Sequence, residues 1–188
     1  MSIFGKKKNA DPVNSDMAGK QKRYEALVNA YQADIFRYAY WLCNNHSIAE
    51  DIVQETFLRA WRSLDSLKEE KAAKSWLITI LRRENARRFE RKQLDLVDID
   101  DHYVPDNVSV STEEHMEQQL IRKQIMKLSE EYRDPLLLQV VGGFSGDEIG
   151  SMLNLNKNTV MTRLFRARNQ LKDALESEKD LIKEQWNG

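Results

Sequence analysis

The sequence predicts an all-α protein built from two small helical domains, the second of which contains a helix-turn-helix. Only 7 Gly and 3 Pro occur in 188 residues, while residues that favour helices are abundant. Apolar residues recur with helical spacing in several separate stretches. Between two groups of these stretches, residues 93–119 contain no Lys or Arg but eight Asp or Glu. We therefore expect two domains joined by an extended acidic linker.

Composition and charge limit the possible classes of protein. Apolar residues make up 41% and charged residues 31%, as in a soluble globular protein. The net charge of −1 excludes a uniformly basic nucleic-acid binder. Cys43 is the only cysteine, which excludes an internal disulfide and favours a reducing, cytoplasmic location. No apolar run approaches the ~20 residues of a membrane span, and no signal peptide is found, so we expect no membrane insertion.

Changes in composition along the chain predict the domain boundaries. Few large apolar residues and no period occur before residue 22, which predicts a disordered tail. The predicted segments are a tail over 1–21, a first domain over 22–92, an acidic linker over 93–111, a second domain over 112–177 and a C-terminal tail over 178–188.

The first domain is predicted to start with a long amphipathic helix, Lys22 to about Asn44, followed by a helix around Ile48 to Trp61. Helical spacing puts six residues on the inner side of the second helix: Ala49, Ile52, Val53, Thr56, Phe57 and Ala60. The opposite side carries Glu50, Asp51, Gln54 and Glu55, with Leu58 in its middle. Acidic neighbours one turn apart repel, so the helix itself gains nothing from them. An acidic side with an apolar centre favours docking of a basic partner, although an ordinary solvated side fits equally well.

A third helix is predicted from about Ala73 to Lys92. Its first half supplies a buried stripe of Trp76, Leu77, Ile80 and Leu81. Its second half is basic and includes an aromatic residue: Arg82, Arg83, Arg87, Arg88, Phe89, Arg91 and Lys92. Cations pair with phosphates and rings stack on bases, so this half suits a strand of nucleic acid. A solvated basic side remains the alternative.

The second domain contains several signals for helix ends. Ser111 and Glu114 form a capping-box pattern before a helix to about Leu128, and Asp134-Pro135 predicts the start of a helix over Leu136 to Val141. Gly142-Gly143 ends that helix. A second capping box, Ser145 to Glu148, starts a short helix through Leu153, and a tight turn over Leu155 to Asn158 precedes a last helix, about Thr159 to Ser177.

Two helices joined by a tight turn, with a basic second helix, predict a helix-turn-helix. The last helix turns Val160, Leu164, Ala167 and Leu171 inward. Its outward side carries Asn158, Thr159, Thr162 and Arg166, with Arg163 beside them. Residues at the start of such a helix contact base edges in the major groove. A plain three- or four-helix bundle is the alternative.

These three signals, in this order, resemble the extracytoplasmic-function (ECF) group of bacterial RNA polymerase sigma factors, in the sigma-70 family. The resemblance covers Tyr24–Lys92 and Met116–Leu175. The segment EDIVQETFLRAW resembles the polymerase-binding signature of the family, and TVMTRLFRAR resembles its promoter −35 helix. Three positions depart from the family pattern: Ile48, Arg83 and Met161.

The resemblance implies a dissociable sigma subunit that directs promoter recognition, −10 melting and transcription initiation in the bacterial cytoplasm, nucleoid-associated when in holoenzyme. Its partners would be core RNA polymerase (the clamp helices of the largest subunit, and the flap), promoter DNA (duplex at −35, single-stranded at −10) and, as a candidate, an anti-sigma factor. No cofactor or metal is expected. The implied polymerase-binding residues are Glu50, Asp51, Gln54, Glu55 and Leu58. The implied −10 residues are Trp76, Arg82, Arg83, Arg87, Arg88 and Arg91, and the −35 residues are Asn158, Thr159, Thr162, Arg163 and Arg166.

Two other functions compete with this interpretation. A dimeric helix-turn-helix regulator acting without polymerase would bind palindromic half-sites, and it would need neither the acidic helix nor the Arg-rich helix. A helical hydrolase with paired carboxylates would need a nucleophile, an oriented His and oxyanion donors, which no residue combination here supplies. We therefore expect no enzymatic activity.

Overall fold

A computed structural model describes the backbone of residues 12–95 and 113–186, and the side chains of residues 17–91 and 116–178. These residues form α-helices and two short 3₁₀ helices, with no strand in the described ranges. The helices are α1 (Pro12–Cys43), α2 (His46–Arg62), α3 (Ala73–Asp95), α4 (Glu113–Lys127), α5 (Glu130–Val140), α6 (Gly146–Leu153) and α7 (Lys157–Trp186). The 3₁₀ helices, Leu64–Ser66 and Glu70–Ala72, connect α2 to α3.

The first half of the chain is a three-helix unit in which α1, α2 and α3 pack on one another. Its core is formed by buried side chains from all three helices and the connection, including Ile35, Tyr38, Ile52, Leu64, Leu77 and Leu81. A polar contact reinforces the packing, because Lys74 Nζ of α3 lies 2.7 Å from Asp34 Oδ2 of α1. The hydrogen bond from Lys74 lowers the pKa of Asp34 from its usual value.

The second half is organised around α7, which packs on α4, α5 and α6. Leu137, Leu138, Ile149, Val160 and Leu164 are fully buried between these helices. The buried apolar stripe of α7 therefore fixes which side of its first turns faces outward.

Three contacts that involve a cation join the two halves. Arg82 of α3 forms an ion pair with Asp134 of α5. Arg122 of α4 donates hydrogen bonds from Nε and NH2 to the carbonyl oxygen of Trp41, at 3.0 and 2.7 Å. Lys74 Nζ lies 5.7 Å from the ring centroid of Phe144. All three contacts involve a cation, and apolar side chains of both halves, among them Phe89 and Met116, line the groove between α3 and α4.

Three helices extend into segments that the sequence assigns to tails or to the linker. α1 begins at Pro12, so residues 12–21 are helical where we expected a tail. Contacts explain part of this extension: Lys20 Nζ lies 3.1 Å from Asp65 Oδ2 and 5.4 Å from the Trp61 ring centroid. α3 continues to Asp95, and α7 continues to Trp186, through most of the expected C-terminal tail. The remainder of the predicted linker and residues 1–11 lie outside the described residues.

The predicted start of α5 is wrong. We expected Asp134-Pro135 to begin the helix, but α5 starts at Glu130 and contains Pro135. Glu130 and Glu131 stand in its first turn, where the positive end of the helix dipole favours acidic side chains. Pro135 lies only five residues beyond the start and is buried, so its missing N–H removes one early hydrogen bond while its ring contributes to the core.

Candidate functional site

The inner side of α2 is buried as its periodicity predicts. The buried residues are Ala49, Ile52, Val53, Thr56, Phe57 and Ala60, the six that the sequence assigns to this side. The Thr56 hydroxyl is satisfied, since Oγ1 donates to the Ile52 carbonyl oxygen at 2.7 Å. Asn45 caps the helix, with Oδ1 accepting from the Ile48 N–H at 2.9 Å. The cap therefore fixes where α2 begins, and the buried residues fix which side of α2 faces outward.

The outer side of α2, which we call the acidic face, consists of Glu50, Asp51, Gln54, Glu55 and Leu58. Glu50, Asp51 and Gln54 are exposed and Glu55 is half-buried. Leu58 is 46% exposed, which is high for a leucine in the middle of a helix that packs well on its other side. The structure thus brings these five predicted residues onto one accessible surface.

Two carboxylates of the acidic face also have partners nearby. Glu50 Oε1 lies 3.5 Å from His46 Nδ1, one turn earlier. Glu55 Oε1 lies 3.0 Å from Arg59 Nε, one turn later. Exposed pairs of this kind contribute little to stability, so these carboxylates remain available to a basic partner.

The first half of α3 belongs to the core of the first unit. Leu77, Ile80 and Leu81 are buried as predicted, and Ile78, which the periodicity did not select, is buried too. Trp76 is only half-buried and packs against the edge of the core. Trp76 therefore lies at the boundary between the buried core and the accessible surface of α3.

The arginines of the second half of α3 differ in their surroundings. Arg82 is half-buried and pairs with Asp134 of the other half of the chain. Arg87 NH1 lies 2.8 Å from Glu84 Oε1, and this carboxylate is only 8% exposed. Arg83 and Arg91 are exposed, whereas Arg88 is half-buried. The predicted basic surface is thus partly engaged by carboxylates of the same protein.

Arg88 and Phe89 line a groove of about 650 Å³ between α3, the end of α1 and α4. Phe89 is 53% exposed, and Met116, Leu120 and Met126 of α4 line the facing wall. The sequence predicted Phe89 as part of a basic-aromatic surface, and its ring is accessible. The proximity of α4 could not be predicted, because α4 is remote in the sequence.

The short helix α6 begins at the predicted capping box. The Ser145 N–H donates to Glu148 Oε2 at 2.8 Å, and the Glu148 N–H donates to Ser145 Oγ at 3.4 Å. Hydrogen bonds from Ser145 lower the pKa of Glu148 from its usual value. The start of α6 is therefore fixed locally by two residues.

The turn between α6 and α7 relies on two small or polar residues. Asn154 ends α6 in the left-handed region, with φ of 55°. Gly150 lies against the turn, where a Cβ would be 2.7 Å from the Leu155 carbonyl oxygen. The Leu155 N–H donates to the Gly150 carbonyl oxygen at 2.8 Å. This close approach sets the angle at which α7 leaves the turn.

The first turns of α7 bring together the five residues predicted to contact duplex DNA. Asn158, Thr159, Thr162, Arg163 and Arg166 line one shallow depression of about 460 Å³. Asn158, Thr162 and Arg166 are exposed, while Thr159 and Arg163 are half-buried. Arg163 NH2 lies 3.8 Å from Glu131 Oε2, so Arg163 is the more restrained of the two arginines.

Sequence reasoning missed several residues of these surfaces, among them Asn156, Tyr132 and Asp134. Asn156 caps α7, because its Oδ1 accepts from the Thr159 N–H at 2.8 Å, and its residue type before a helix could have indicated this. Tyr132 lines the depression beside α7. Asp134 holds Arg82 from 52 residues away, and no local signal could have revealed that pair.

The described residues contain no helix long and apolar enough to cross a membrane. Within the same residues, no three His, Cys, Asp or Glu side chains are grouped so that they could hold a metal ion.

Comparison with known proteins gives two family matches. Residues 27–94 match the model of sigma-70 region 2, which includes the acidic face and the arginines of α3. Residues 118–171 match the model of sigma-70 region 4, which includes the helix-turn-helix. Together these matches span more than half of the chain, in the order expected from the resemblance.

Individual relatives agree with the family matches. The chain is 30% identical over 173 residues to the ECF RNA polymerase sigma factor SigW of Bacillus subtilis, covering 84% of this chain and 91% of that protein. It is 30% identical over 135 residues to the ECF sigma factor EcfG of Rhodopseudomonas palustris, covering 71% of this chain and 75% of that protein.

Among solved structures, the sigma factor RpoE of Bartonella quintana, in complex with the anti-sigma factor NepR, matches with a TM-score of 0.69 at 27% identity. The match covers 82% of this chain and 98% of that one. The structure of CnrH in complex with the cytosolic domain of CnrY matches in fold, with a TM-score of 0.65 at 22% identity. Sequence, fold and the order of the two matched regions agree: the chain belongs to the ECF group of RNA polymerase sigma factors, which are transcription initiation factors and not enzymes.

Proposed function

We propose that this sigma factor docks on core RNA polymerase through the acidic face of α2 and contacts promoter DNA through two separate basic helices. In this proposal residues 22–92 form the polymerase-docking and −10 domain, residues 112–177 form the −35 domain, and residues 93–111 connect them. The observation that carries it is the exposure of the acidic face on a helix whose other side is fully buried. A surface that contributes little to the fold of its own chain is available to a partner.

The acidic face suits a basic helical surface, for which the resemblance implies the clamp helices of the largest polymerase subunit. Asp51 and Gln54 supply exposed polar groups on either side of the same turn. Leu58 supplies an apolar contact in the centre, where burial would be most favourable. Charge steers the encounter, and burial of Leu58 adds affinity.

The start of α7 suits the major groove of a duplex. Arg166 is exposed and can present its planar guanidinium to a guanine edge. Asn158 and Thr162 flank the same depression and supply further donors and acceptors. We assign this surface to the −35 element and the second half of α3 to the −10 element, in single-stranded form. The exposed ring of Phe89 and the guanidinium groups of Arg83 and Arg91 are available for stacking and phosphate contacts.

The dimeric regulator is not favoured, because such a protein would need no sigma region 2. The match over residues 27–94 covers the acidic face and the Arg-rich helix together. The likeness to a sigma factor crystallised with an anti-sigma factor supports an anti-sigma partner for this chain as well. We place the protein in the bacterial cytoplasm, associated with the nucleoid when it is part of holoenzyme.

The test is a charge reversal on the acidic face, D51K/Q54K. We expect its affinity for core polymerase to fall at least about tenfold, because like charges facing one another across an interface cost several kcal/mol. The matched control is Q21K/E25K, which makes the same change in charge at two exposed residues of α1. Co-purification with core polymerase and thermal melting of both variants are the measurements. Equal retention of polymerase by the two variants would contradict the assignment of the acidic face.

A further inference from the structure

Four arginines from two helices converge on one small concavity at the end of α2. Arg59 and Arg62 come from the last turn of α2, and Arg83 and Arg87 come from the middle of α3. The concavity has a volume of about 270 Å³. We call it the arginine pocket. Neither Arg59 nor Arg62 was selected by the sequence, because both lie outside the acidic face and outside the Arg-rich segment.

The carboxylates around the arginine pocket do not balance its charge. Glu84 lies at its base, with Oε1 2.7 Å from Arg59 Nε and 2.8 Å from Arg87 NH1. Glu55 lies 3.0 Å from Arg59 Nε at the rim. Arg62 and Arg83 are exposed and form no ion pair with any side chain in the described part of the chain. Two positive charges are therefore in excess in a concave site, which concentrates an attractive potential for anions.

The contacts of Arg59 show a further asymmetry. Its Nε is buried and close to two carboxylate oxygens, yet it makes no well-directed hydrogen bond to either. Arg59 is therefore held by charge and not by a geometrically ideal pair.

The helix dipole explains only part of this arrangement. Basic residues in the last turn of a helix are favoured, which accounts for Arg59 and Arg62 taken alone. It does not account for Arg83 and Arg87, which belong to the interior of another helix and face the same concavity. Bringing four guanidinium groups together costs repulsion that one buried and one rim carboxylate only partly offset.

We propose that the arginine pocket binds a backbone phosphate of promoter DNA, so that the DNA-binding surface extends from α3 onto the end of α2. This inference rests on the proposed −10 role of α3, since Arg83 and Arg87 belong to both surfaces. Arginine binds phosphate through two parallel N–H donors in one plane. A pocket lined by four arginines therefore suits a phosphate better than an apolar ligand. The volume lies just below the usual range of roughly 300–1,000 Å³ for ligand pockets, which favours one phosphate with its sugar over a larger ligand.

The test uses Arg62→Gln, which removes a charge that has no partner in the described residues. Holoenzyme containing the variant is titrated with a non-template −10 oligonucleotide at several salt concentrations. We expect affinity to fall about three- to tenfold and the slope of log K against log salt to become shallower by about 0.7, as for one lost single-strand phosphate contact. The matched control is Arg37→Gln, an exposed arginine of α1 that pairs with Asp34 of the same helix.

A scan of neutral methylphosphonate linkages along the oligonucleotide identifies the phosphate. One linkage should weaken binding to the wild-type holoenzyme and have no effect on the Arg62→Gln holoenzyme, because both changes remove the same contact. Equal affinity and slope for the wild type, Arg62→Gln and Arg37→Gln would overturn the proposal. The proposal would also be overturned if Arg62→Gln weakened the effect of every methylphosphonate linkage equally. Such a result would show that Arg62 contributes only a general electrostatic attraction and not a contact with one phosphate.

Two further experiments distinguish a DNA phosphate from a free phosphate ligand, and the arginine pocket from the rest of α3. Pyrophosphate and a nucleoside triphosphate are added as competitors of the oligonucleotide. If binding of these competitors depends on Arg62 but binding of DNA does not, the pocket binds a free phosphate ligand and the proposal is overturned. Arg88→Gln tests α3 independently of the pocket. If Arg88→Gln weakens −10 binding and Arg62→Gln does not, the inference alone fails. If neither variant weakens it, the proposed −10 role of α3 fails as well.

Discussion

The two basic helices of this sigma factor, α3 and α7, are held in different ways. On α3, Arg82 and Arg87 are engaged by carboxylates, one of them from the other half of the chain. On α7, Arg166 and Asn158 are exposed around an open depression. Near the start of α7, Thr162 Oγ1 donates to the Asn158 carbonyl oxygen of the same helix at 2.9 Å, and Lys157 Nζ donates to Asp147 Oδ2 of α6 at 2.8 Å.

This difference suits the two kinds of DNA that the proposed function assigns to these helices. A duplex presents its base edges in a fixed groove, so a surface that is already exposed and ordered can bind without rearrangement. A melted strand binds only after the duplex opens. Its phosphates carry enough negative charge to compete with the carboxylates that hold the arginines of α3. In the proposed function most of the α7 surface binds DNA in this conformation, although Arg163 lies 3.8 Å from the Glu131 carboxylate. Part of α3 must first exchange its carboxylate partners.

The largest effect is expected at α7. Replacing Arg166 by Gln should weaken duplex −35 binding by about 1–3 kcal/mol, since a bidentate contact to guanine is lost. Binding of holoenzyme to a single-stranded −10 oligonucleotide should not change. Gel-shift titrations with the two DNAs measure both. Arg168→Gln is the control, because Arg168 is exposed on the same helix and bonds to Gln139. A uniform loss with both DNAs would show that the two helices do not act separately.

A smaller effect, on folding, is expected at Glu84 of α3. Replacing it by Gln should lower the stability of the first half by about 1–2 kcal/mol, because a buried charge that holds two guanidinium groups is lost while solvent screens those groups in part. The melting temperature of this half should fall by about 4–16 °C, since 1 kcal/mol corresponds to roughly 4–8 °C in a domain of 60–100 residues. Trp fluorescence is a suitable probe, since three of the 4 tryptophans, Trp41, Trp61 and Trp76, lie in this half.

The control for Glu84 is Glu90→Gln, the same substitution at an exposed residue of α3. We expect its melting temperature to match that of the wild type. If the two variants melt at the same temperature, Glu84 does not hold the arginines of α3. The arginines of α3 would then be as free as Arg166 of α7.

The smallest effect is expected at the contact between the halves. Asp134→Asn should free Arg82 and raise the affinity of holoenzyme for the single-stranded −10 oligonucleotide about two- to fivefold, because an ion pair of this kind contributes less than about 1 kcal/mol. Glu130→Gln, at the exposed start of α5, is the control. In the Arg82→Gln background the Asp134 substitution should have no effect. An unchanged affinity in the wild-type background would mean that Arg82 does not take part in −10 binding.

Sequence by itself determined the features that depend on residues close together in the chain. The six buried residues of α2 follow from a period of 3.6, which is a property of one helix. The capping box of Ser145 and Glu148 follows from a spacing of three residues. The five residues around the depression of α7 follow from the same period, once Val160 and Leu164 are placed in the core.

Only the tertiary structure decided which charges meet. Arg82 and Asp134 are 52 residues apart, and neither has a pattern that selects the other. In the sequence Glu84 is an acidic residue within a basic segment, and packing of α2 on α3 buries it between Arg59 and Arg87. Such pairs depend on how helices pack and on how much water is excluded, and both properties arise from the whole fold. The same reason makes the convergence of Arg59 and Arg62 with the arginines of α3 visible only in three dimensions.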